Sequence, residues 1–483
     1  MKISFLVLAV CSSQVVMSSA QIASNDPPPA NSILRLQSGT NFVLKSTRAD
    51  TSWLLIPEYR SSLSTTSWTT VPFFTNTIQN GTNTTVFGRQ YIPANSNVFF
   101  RTRQTDDRAS LYDGPPPLIA NTWGYAGLGM DAVAVTNMVA SLTTLGATNA
   151  GRWIVVLDEG WLTESGRDQN GHLIGDTNKF PSGLKNLSKW LHEKGLGFGL
   201  YYHCGTNAED PGILGGQASS NTLGYVEKDG WEMATNLFVD YIKINFTTYD
   251  LSPERNRDIQ MACLKALRAS GSKAFVWIMP DLTDYGQNPL WLSQWGNDFR
   301  AYSLYDGNLD AWDYTLYNWR LVSQWFGTIR PGHLVSIESA LANVYDQYHL
   351  SLLQSTMNMW AISSGQRIIE NISPPAAQFF TNAEVNAIID DIVPASLLNK
   401  TTNSGLIYET WLKPLHNGNI AVMMLNPALV PTDFEVASTN LGSGGYAFRD
   451  PWIHSLASTG DVFKATVPAQ STALYLAVPK PVK

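Results

Sequence analysis

Residues 239–250 read VDYIKINFTTYD. Val239, Tyr241, Ile242, Ile244 and Phe246 make a short apolar run with β-branched residues, the pattern of a buried strand. Lys243 and Asn245 stand at its carboxyl end, and strand alternation puts them on one face. A buried strand that finishes in Lys-x-Asn asks for a reason, because a charge and an amide are costly to bury without partners.

Working outward, seven further runs have the same texture: PLIANTWGY, RWIVVLDEGW, GLGFGLYYHCG, KAFVWIMP, DFRAYSLYD, GHLVSIES and GQRIIENIS. Most of the eight lie about 25 to 45 residues apart, the spacing of a (β/α)8 TIM barrel. Helical stretches such as LKNLSKWLHEKG and RDIQMACLKALRASG sit between them and stop at Gly195 and Gly271. The fold expected is α/β, with the barrel at 112–395. Short alternating runs from Ile33 to about Arg103 predict a small N-terminal β domain at 21–104, joined by the linker DDRASLYDGPPP. LIYETWLKPL, NIAVMMLNP, TDFEVAS and TALYLAV predict a C-terminal antiparallel β-sandwich at 400–483.

A chain of 483 residues is too long for one ordinary core. It is 44% hydrophobic and 15% charged, with 16 tryptophans, a balance that suits uncharged, ring-shaped ligands; core packing absorbs most of those indoles. The net charge of −7 comes without a basic stripe, which argues against nucleic acid. Residues 1–20 have a charged start, an apolar run and a small-residue end, so they read as a secretory signal peptide and predict a secreted protein. No later stretch is long enough to span a bilayer, so no membrane partner is expected. Sequons at Asn80, Asn83, Asn186, Asn371 and Asn399 fit a glycoprotein, and Asn245-Phe-Thr is a sixth. Cys204 and Cys263 read equally as a disulfide or as two buried thiols. No Cys/His spacing reads as a metal site, and no cofactor is expected. The sequence leaves the oligomeric state open.

Barrels of this kind build their sites at the carboxyl ends of the strands. Polar and aromatic residues gather there: Trp123 on the first run, then Asp158, Glu159 and Trp161, then Tyr201 and His203, then Lys243 and Asn245. The sixth run adds Arg300 and Asp306, and the seventh Glu338. Any one of these is an ordinary satisfied residue at a strand end. Six strands of eight doing the same thing point to a site.

These residues resemble glycoside hydrolase family 27, the α-galactosidase (melibiase) and isomalto-dextranase group of clan D. The carrying segment is VVLDEGWLTESGRDQNGHLIGDTNKFPSGLKNLSKWLHEKGLGFGLYYHCG, residues 155–205, supported by NTWGYAG at 121–127 and WLKPLHNGNIAVMMLNP near the end. The resemblance covers residues 118–483 and leaves out the N-terminal β domain. It implies retaining hydrolysis of α-linked oligosaccharides or polysaccharides, with two carboxyl groups about 5 Å apart. The family's nucleophile is the Asp of a K-x-D, a position held here by Asn245. The implied acid/base is Asp306, with Asp310 second because it belongs to a D-x-W. Asp158 and Glu159 correspond to the pair that grips the distal hydroxyls. Trp123 would be the ring platform, with Trp161, Tyr201, Lys243, Arg300 and Glu338 completing the sugar contacts. FVWIMPD lacks the strand-five glutamate of many α-galactosidases, and PGHLVSIES departs from WNDPD.

An amide is a poor nucleophile. Three readings therefore stand: a glycosidase whose nucleophile has been exchanged, an inactive α-glycan-binding pseudoenzyme, or an enzyme in which Asp158 or Glu159 substitutes. The residues leave open which sugar is taken.

Overall fold

The computed structural model describes strand backbones within residues 3–106 and most of the chain from 112 to 480. Beyond residue 112, the segments 113, 204–224, 246–252, 279–295, 300–309, 324, 327–328, 338–346, 371–372, 443–444 and 481–483 lie outside the described residues. At a few strand and helix ends, His203 and Asn245 among them, only the backbone is described.

Among the described residues, the N-terminal part consists of β-strands. Ile33–Gln37, Asn41–Ser46, Thr82–Gly88 and Phe74–Gln79 form one four-stranded antiparallel sheet in that order. Phe99–Asp106 pairs with Trp53–Arg60 in a second sheet. Within the stretch expected as a leader, Val7–Cys11 pairs with Gln14–Ser18.

The barrel sheet is parallel. Its strands are β1 (Leu118–Asn121), β2 (Trp153–Leu157), β3 (Gly197–His203), β4 (Tyr241–Asn245), β5 (Phe275–Ile278), β6 (Asp298–Phe299) and β7 (Arg367–Ile369). They run in chain order from β6 back to β1, and β7 flanks β1 on its other side. Leu334–Ile337 joins no ladder among the described residues and lies between β6 and β7, in the seventh of the eight expected positions. Leu334 N donates to Asn297 O beside β6 at 2.6 Å, and Gln366 N beside β7 donates to Ser336 Oγ at 2.8 Å. Helices follow the strands: α1 (Trp123–Ala126), α2 (Ala132–Thr144), α3 (Leu184–Glu193), α4 (Val226–Thr235), α5 (Pro253–Ala269), α6 (Ala311–Ser323), α7 (Gln347–Ser363), α8 (Pro374–Phe380) and α9 (Ala383–Asp390).

Strands buried on both faces read as unbroken apolar runs, and WIVVL is buried throughout. Alternation sorts their side chains into two cores. Val155, Phe198, Leu200, Ile242, Val276 and Phe299 pack outward against the helices. Ile119, Ile154, Val156, Tyr241, Phe275, Trp277 and Leu334 fill the barrel interior. Room for that filling comes from β3. A Cβ on Gly199 would stand 2.8 Å from Val156 and 3.0 Å from Tyr241, so only glycine lets these neighbours close in. Tyr241 and Phe275 stack at 5.5 Å, and Tyr112 closes the floor edge-on to Phe275 at 5.0 Å.

The interior also holds a polar chain. Tyr241 donates to Gln366 Oε1 at 2.8 Å, and Ser336 donates through both its N–H and its hydroxyl to Asp298. Burial pushes the Asp298 carboxyl up to about 7, against the opposing pull of its Ser336, Phe299 and Gln366 partners.

An excursion between β2 and α3 carries the hairpin Leu162–Arg167/Leu173–Gly175. It is pinned by Arg167, which pairs in fork fashion with the buried Asp229 of α4; Tyr202 donates to the same carboxylate at 2.5 Å. Burial raises the Asp229 carboxyl from its ordinary value despite those partners.

The C-terminal sandwich comprises β8 (Ser396–Asn403), β9 (Leu406–Pro414), β10 (Ile420–Asn426), β11 (Thr432–Ala437), β12 (Tyr446–Asp450), β13 (Ser455–Ser458), β14 (Val462–Val467) and β15 (Ser471–Pro479). Six strands form one sheet in the order β8-β9-β10-β15-β12-β13, and β11 pairs with β14. Trp411, Met423, Leu425 and Leu474 belong to the same buried cluster as the barrel's outer core, so the two domains share a dry interface. Lys413 is buried in it and donates to Ala361 O, Ser364 Oγ and Ile388 O at 2.7, 2.8 and 2.6 Å. Cys263 of α5 is a buried free thiol; Cys204 lies outside the described residues.

Candidate active site

The carboxyl ends of β1 to β5 and β7 converge on one mouth. Lys243, 8% exposed on β4, points its Nζ at Asp158 Oδ2 after β2, at 2.9 Å. The same ammonium lies 5.1 Å from the Tyr201 ring centroid and 5.3 Å from that of Trp277, its register partner on β5. A buried ammonium needs such company: one full counter-charge and two π faces replace lost water. Asp158 is fixed in turn. Its Oδ1 accepts from Glu159 N at 2.9 Å, and its own N–H donates to Thr122 Oγ1 at 3.0 Å.

Trp123 opens α1 directly after β1 and is 43% exposed, a large apolar face at the rim. Glu159 is partly buried beside Asp158. Tyr201 is buried on β3 next to Lys243. Trp161 stands apart from these. It is 1% exposed and its indole N–H donates to Tyr201 O at 2.8 Å, so it braces β3 from behind and has no free face for a sugar.

Asn245 ends β4, two residues beyond Lys243 and in register with His203. Its side chain, and Arg300, Asp306 and Glu338 entirely, lie outside the described residues. Asp310 is exposed just before α6, and its carboxylate accepts from Asp313 N at 2.8 Å. That is a helix-capping contact, the ordinary use of an acidic residue at this place.

The structure adds two residues to the mouth that the strand-end pattern does not single out, Asn121 and Trp277, and a third, Glu370, just past β7. Asn121 ends β1 and is 5% exposed; its Nδ2 donates to Glu370 Oε1 at 3.3 Å. Trp277 flanks Lys243. Counting alternate positions along GQRIIENIS from Gln366 reaches Ile368 and then Glu370, and that count is the signal by which Glu370 is legible.

The family model described as alpha galactosidase A matches residues 131–391. The chain belongs to glycoside hydrolase family 27. The alpha galactosidase C-terminal beta sandwich domain matches residues 407–477. Among relatives of this family 27 chain, an alpha-galactosidase of Coffea arabica is 25% identical over 376 residues, covering 76% of this chain and 94% of that protein. A probable alpha-galactosidase of Dictyostelium discoideum is 26% identical over 333 residues, covering 68% and 81%. In fold, the chain resembles an alpha-galactosidase from Saccharomyces cerevisiae with raffinose, with a TM-score of 0.64 at 20% identity, over 78% of this chain and 100% of that one. A family 27 β-L-arabinopyranosidase from Geobacillus stearothermophilus gives 0.65 at 16% identity, over the same shares.

Proposed function

We propose that the barrel mouth binds an α-linked O-glycoside and that the chain is a secreted, α-galactosidase-like retaining glycosidase whose usual nucleophile position is held by Asn245. The observation that carries the reading is the buried Lys243–Asp158 pair at 2.9 Å between two aromatic rings. A fold gains little from such a pair, since burying both charges offsets most of their attraction. A sugar gains much: an ammonium that donates and a carboxylate that accepts, already desolvated and fixed, match the donor-acceptor pattern of ring hydroxyls. In this reading Asp158 and Glu159 hold the distal hydroxyls, Lys243 and Arg300 donate to others, and Trp123 lies against the apolar face of the ring. Glu338 would take a further hydroxyl, and Asp306 would protonate the leaving oxygen.

Asn245 limits the chemistry this site can perform. A retaining mechanism needs a carboxylate to attack the anomeric carbon and to stabilise the positive charge that develops there. A carboxamide does neither. The amide therefore favours a second reading, an α-glycan binder without turnover. Names of the relatives make α-galactosides the first ligands to try.

Calorimetric titration with a panel of α-glycosides, paired with hydrolysis assays on chromogenic versions, separates these readings. Binding with hydrolysis near background supports the glycosidase scaffold disabled at Asn245. Binding by no member of the panel, to a folded chain, overturns the proposal.

A further inference from the structure

Glu370 and Asp158 stand on opposite flanks of β1, the strand that leads into the platform Trp123. The β1–β7 ladder pairs Ala120 with Ile369, so the next step sets Asn121 beside Glu370 at the barrel's rim. Their contact runs from Asn121 Nδ2 to Glu370 Oε1 at 3.3 Å. A Cβ on Gly124, the residue after Trp123, would stand 2.7 Å from the Glu370 Cβ, so the missing side chain at 124 is what lets Glu370 occupy this place. Asn121 is 5% exposed, and its amide oxygen has no hydrogen-bond partner among the described residues. A buried acceptor left unmatched costs free energy and asks what donor belongs there.

We propose that Asn121 and Glu370 form a second hydroxyl-binding wall of the same mouth and make it selective for neutral sugars. The proposal rests on the reading of the mouth as a glycoside site. Asn121 Oδ1 is an acceptor without a donor among the described residues, so it calls for a ligand that donates, and the Glu370 carboxylate stands beside it. Neighbouring hydroxyls on a ring held against Trp123 supply such donors. A uronic acid, or a sulfated or phosphorylated sugar, would bring a further negative charge to a rim that already holds three carboxylates, Asp158, Glu159 and Glu370, of which Asp158 is paired with Lys243. Like charges that close in a partly buried site repel strongly. Glu370 is thus a specificity-determining residue, and no part of the chemistry is assigned to it.

The test is titration of galactose and galacturonic acid into the intact chain and into the variants Glu370→Gln and Glu370→Ala. Glutamine keeps the shape and the Asn121 contact while removing the charge. The wild type is expected to bind galactose and to bind galacturonate at least about 10-fold more weakly. Glu370→Ala should weaken galactose roughly 10- to 100-fold, the loss of hydrogen bonds to a charged acceptor. Glu370→Gln should weaken galactose less and narrow the gap between the two sugars. Unchanged galactose affinity in Glu370→Ala, or an unchanged gap in Glu370→Gln, overturns the inference while leaving the site itself intact. A wild type that binds neither sugar defeats the glycoside reading and this inference with it. Thermal unfolding of each variant keeps a folding defect distinguishable from a binding one.

Discussion

Lys243 and Asp158 come from different strands, are both almost fully buried, and meet at 2.9 Å. Asp158 cannot drift, because Glu159 N and Thr122 hold it from two sides. Lys243 cannot drift either, with Tyr201 and Trp277 flanking its ammonium. The pair ties β2 to β4 across the intervening β3 and brings a donor and an acceptor to one spot in the mouth.

Removing one partner leaves the other buried and unpaired. Lys243→Met should therefore cost about 3–5 kcal/mol of stability, and Asp158→Asn less, since its amide oxygen still accepts from Lys243. Urea unfolding of the two variants checks the order. If Lys243→Met is as stable as the wild type, the pair is solvated and its place in the ligand site falls too.

Asp298 gives a pH signature. Its folded carboxyl sits at about 7 and its ordinary value is 3.8, so between these values the native state keeps a proton that the unfolded chain has released. Stability then falls as pH rises through that window and carries the full penalty above about 7. Asp298→Asn removes the titration and can still accept from Phe299 N and Ser336 N, the two backbone donors to Asp298. The stability of the variant relative to wild type should climb from pH 4 to pH 7 and level off above. A difference that is flat with pH would mean that Asp298 is ionised throughout.

Much of this is legible in the sequence for a plain reason: barrel strands are apolar on both faces, so VDYIKINF and RWIVVLDEGW stand out. The same property hides the two cores, because nothing in WIVVL says which residues face the helices and which the interior. The seventh run is expected as a strand, yet Leu334–Ile337 joins no ladder among the described residues: the Asp298 side chain accepts from Ser336 N where a backbone carbonyl would in a sheet. Trp161 reads as a ligand contact because it follows Asp-Glu-Gly; its commitment to Tyr201 O depends on the three-dimensional approach of β3. In IIENIS the Asn371 sequon is the conspicuous feature, and it masks the carboxylate one residue earlier.

Lys413 supplies a second pH signature, of opposite sign. Burial in the barrel–sandwich interface pushes its ammonium down to about 7 from 10.5, against the pull of Asp391 and Asp390. Between those values the unfolded chain holds the proton and the native state does not, so stability rises with pH through that window. Lys413→Met deletes three hydrogen bonds and leaves Ala361 O and Ile388 O without this donor. It should destabilise by about 2–4 kcal/mol, and by more at pH 9 than at pH 7. Equal loss at the two pH values would show that Lys413 stays charged in the fold.

Asn245 decides between an arrested enzyme and a binder, and restoring its carboxylate is the direct trial. The backbone already places residue 245 at the end of β4, beyond Lys243 and level with His203. Aspartate has nearly the shape of asparagine, so the exchange asks little of the packing. If the remainder of the site is intact, Asn245→Asp should raise α-glycoside hydrolysis at least about 10³-fold, since groups that act as one catalytic unit lose most of their effect when a single member is gone. The product should keep the anomeric configuration of the substrate, which proton NMR of the first-formed sugar reads directly. Retention with the expected rise identifies the scaffold as a glycosidase stopped at one atom. A rise with inverted product would mean that the restored carboxylate activates water and that the second carboxyl lies farther away than a retaining pair allows. No rise, in a chain that still binds the sugar, would leave the α-glycan binder as the reading of this protein.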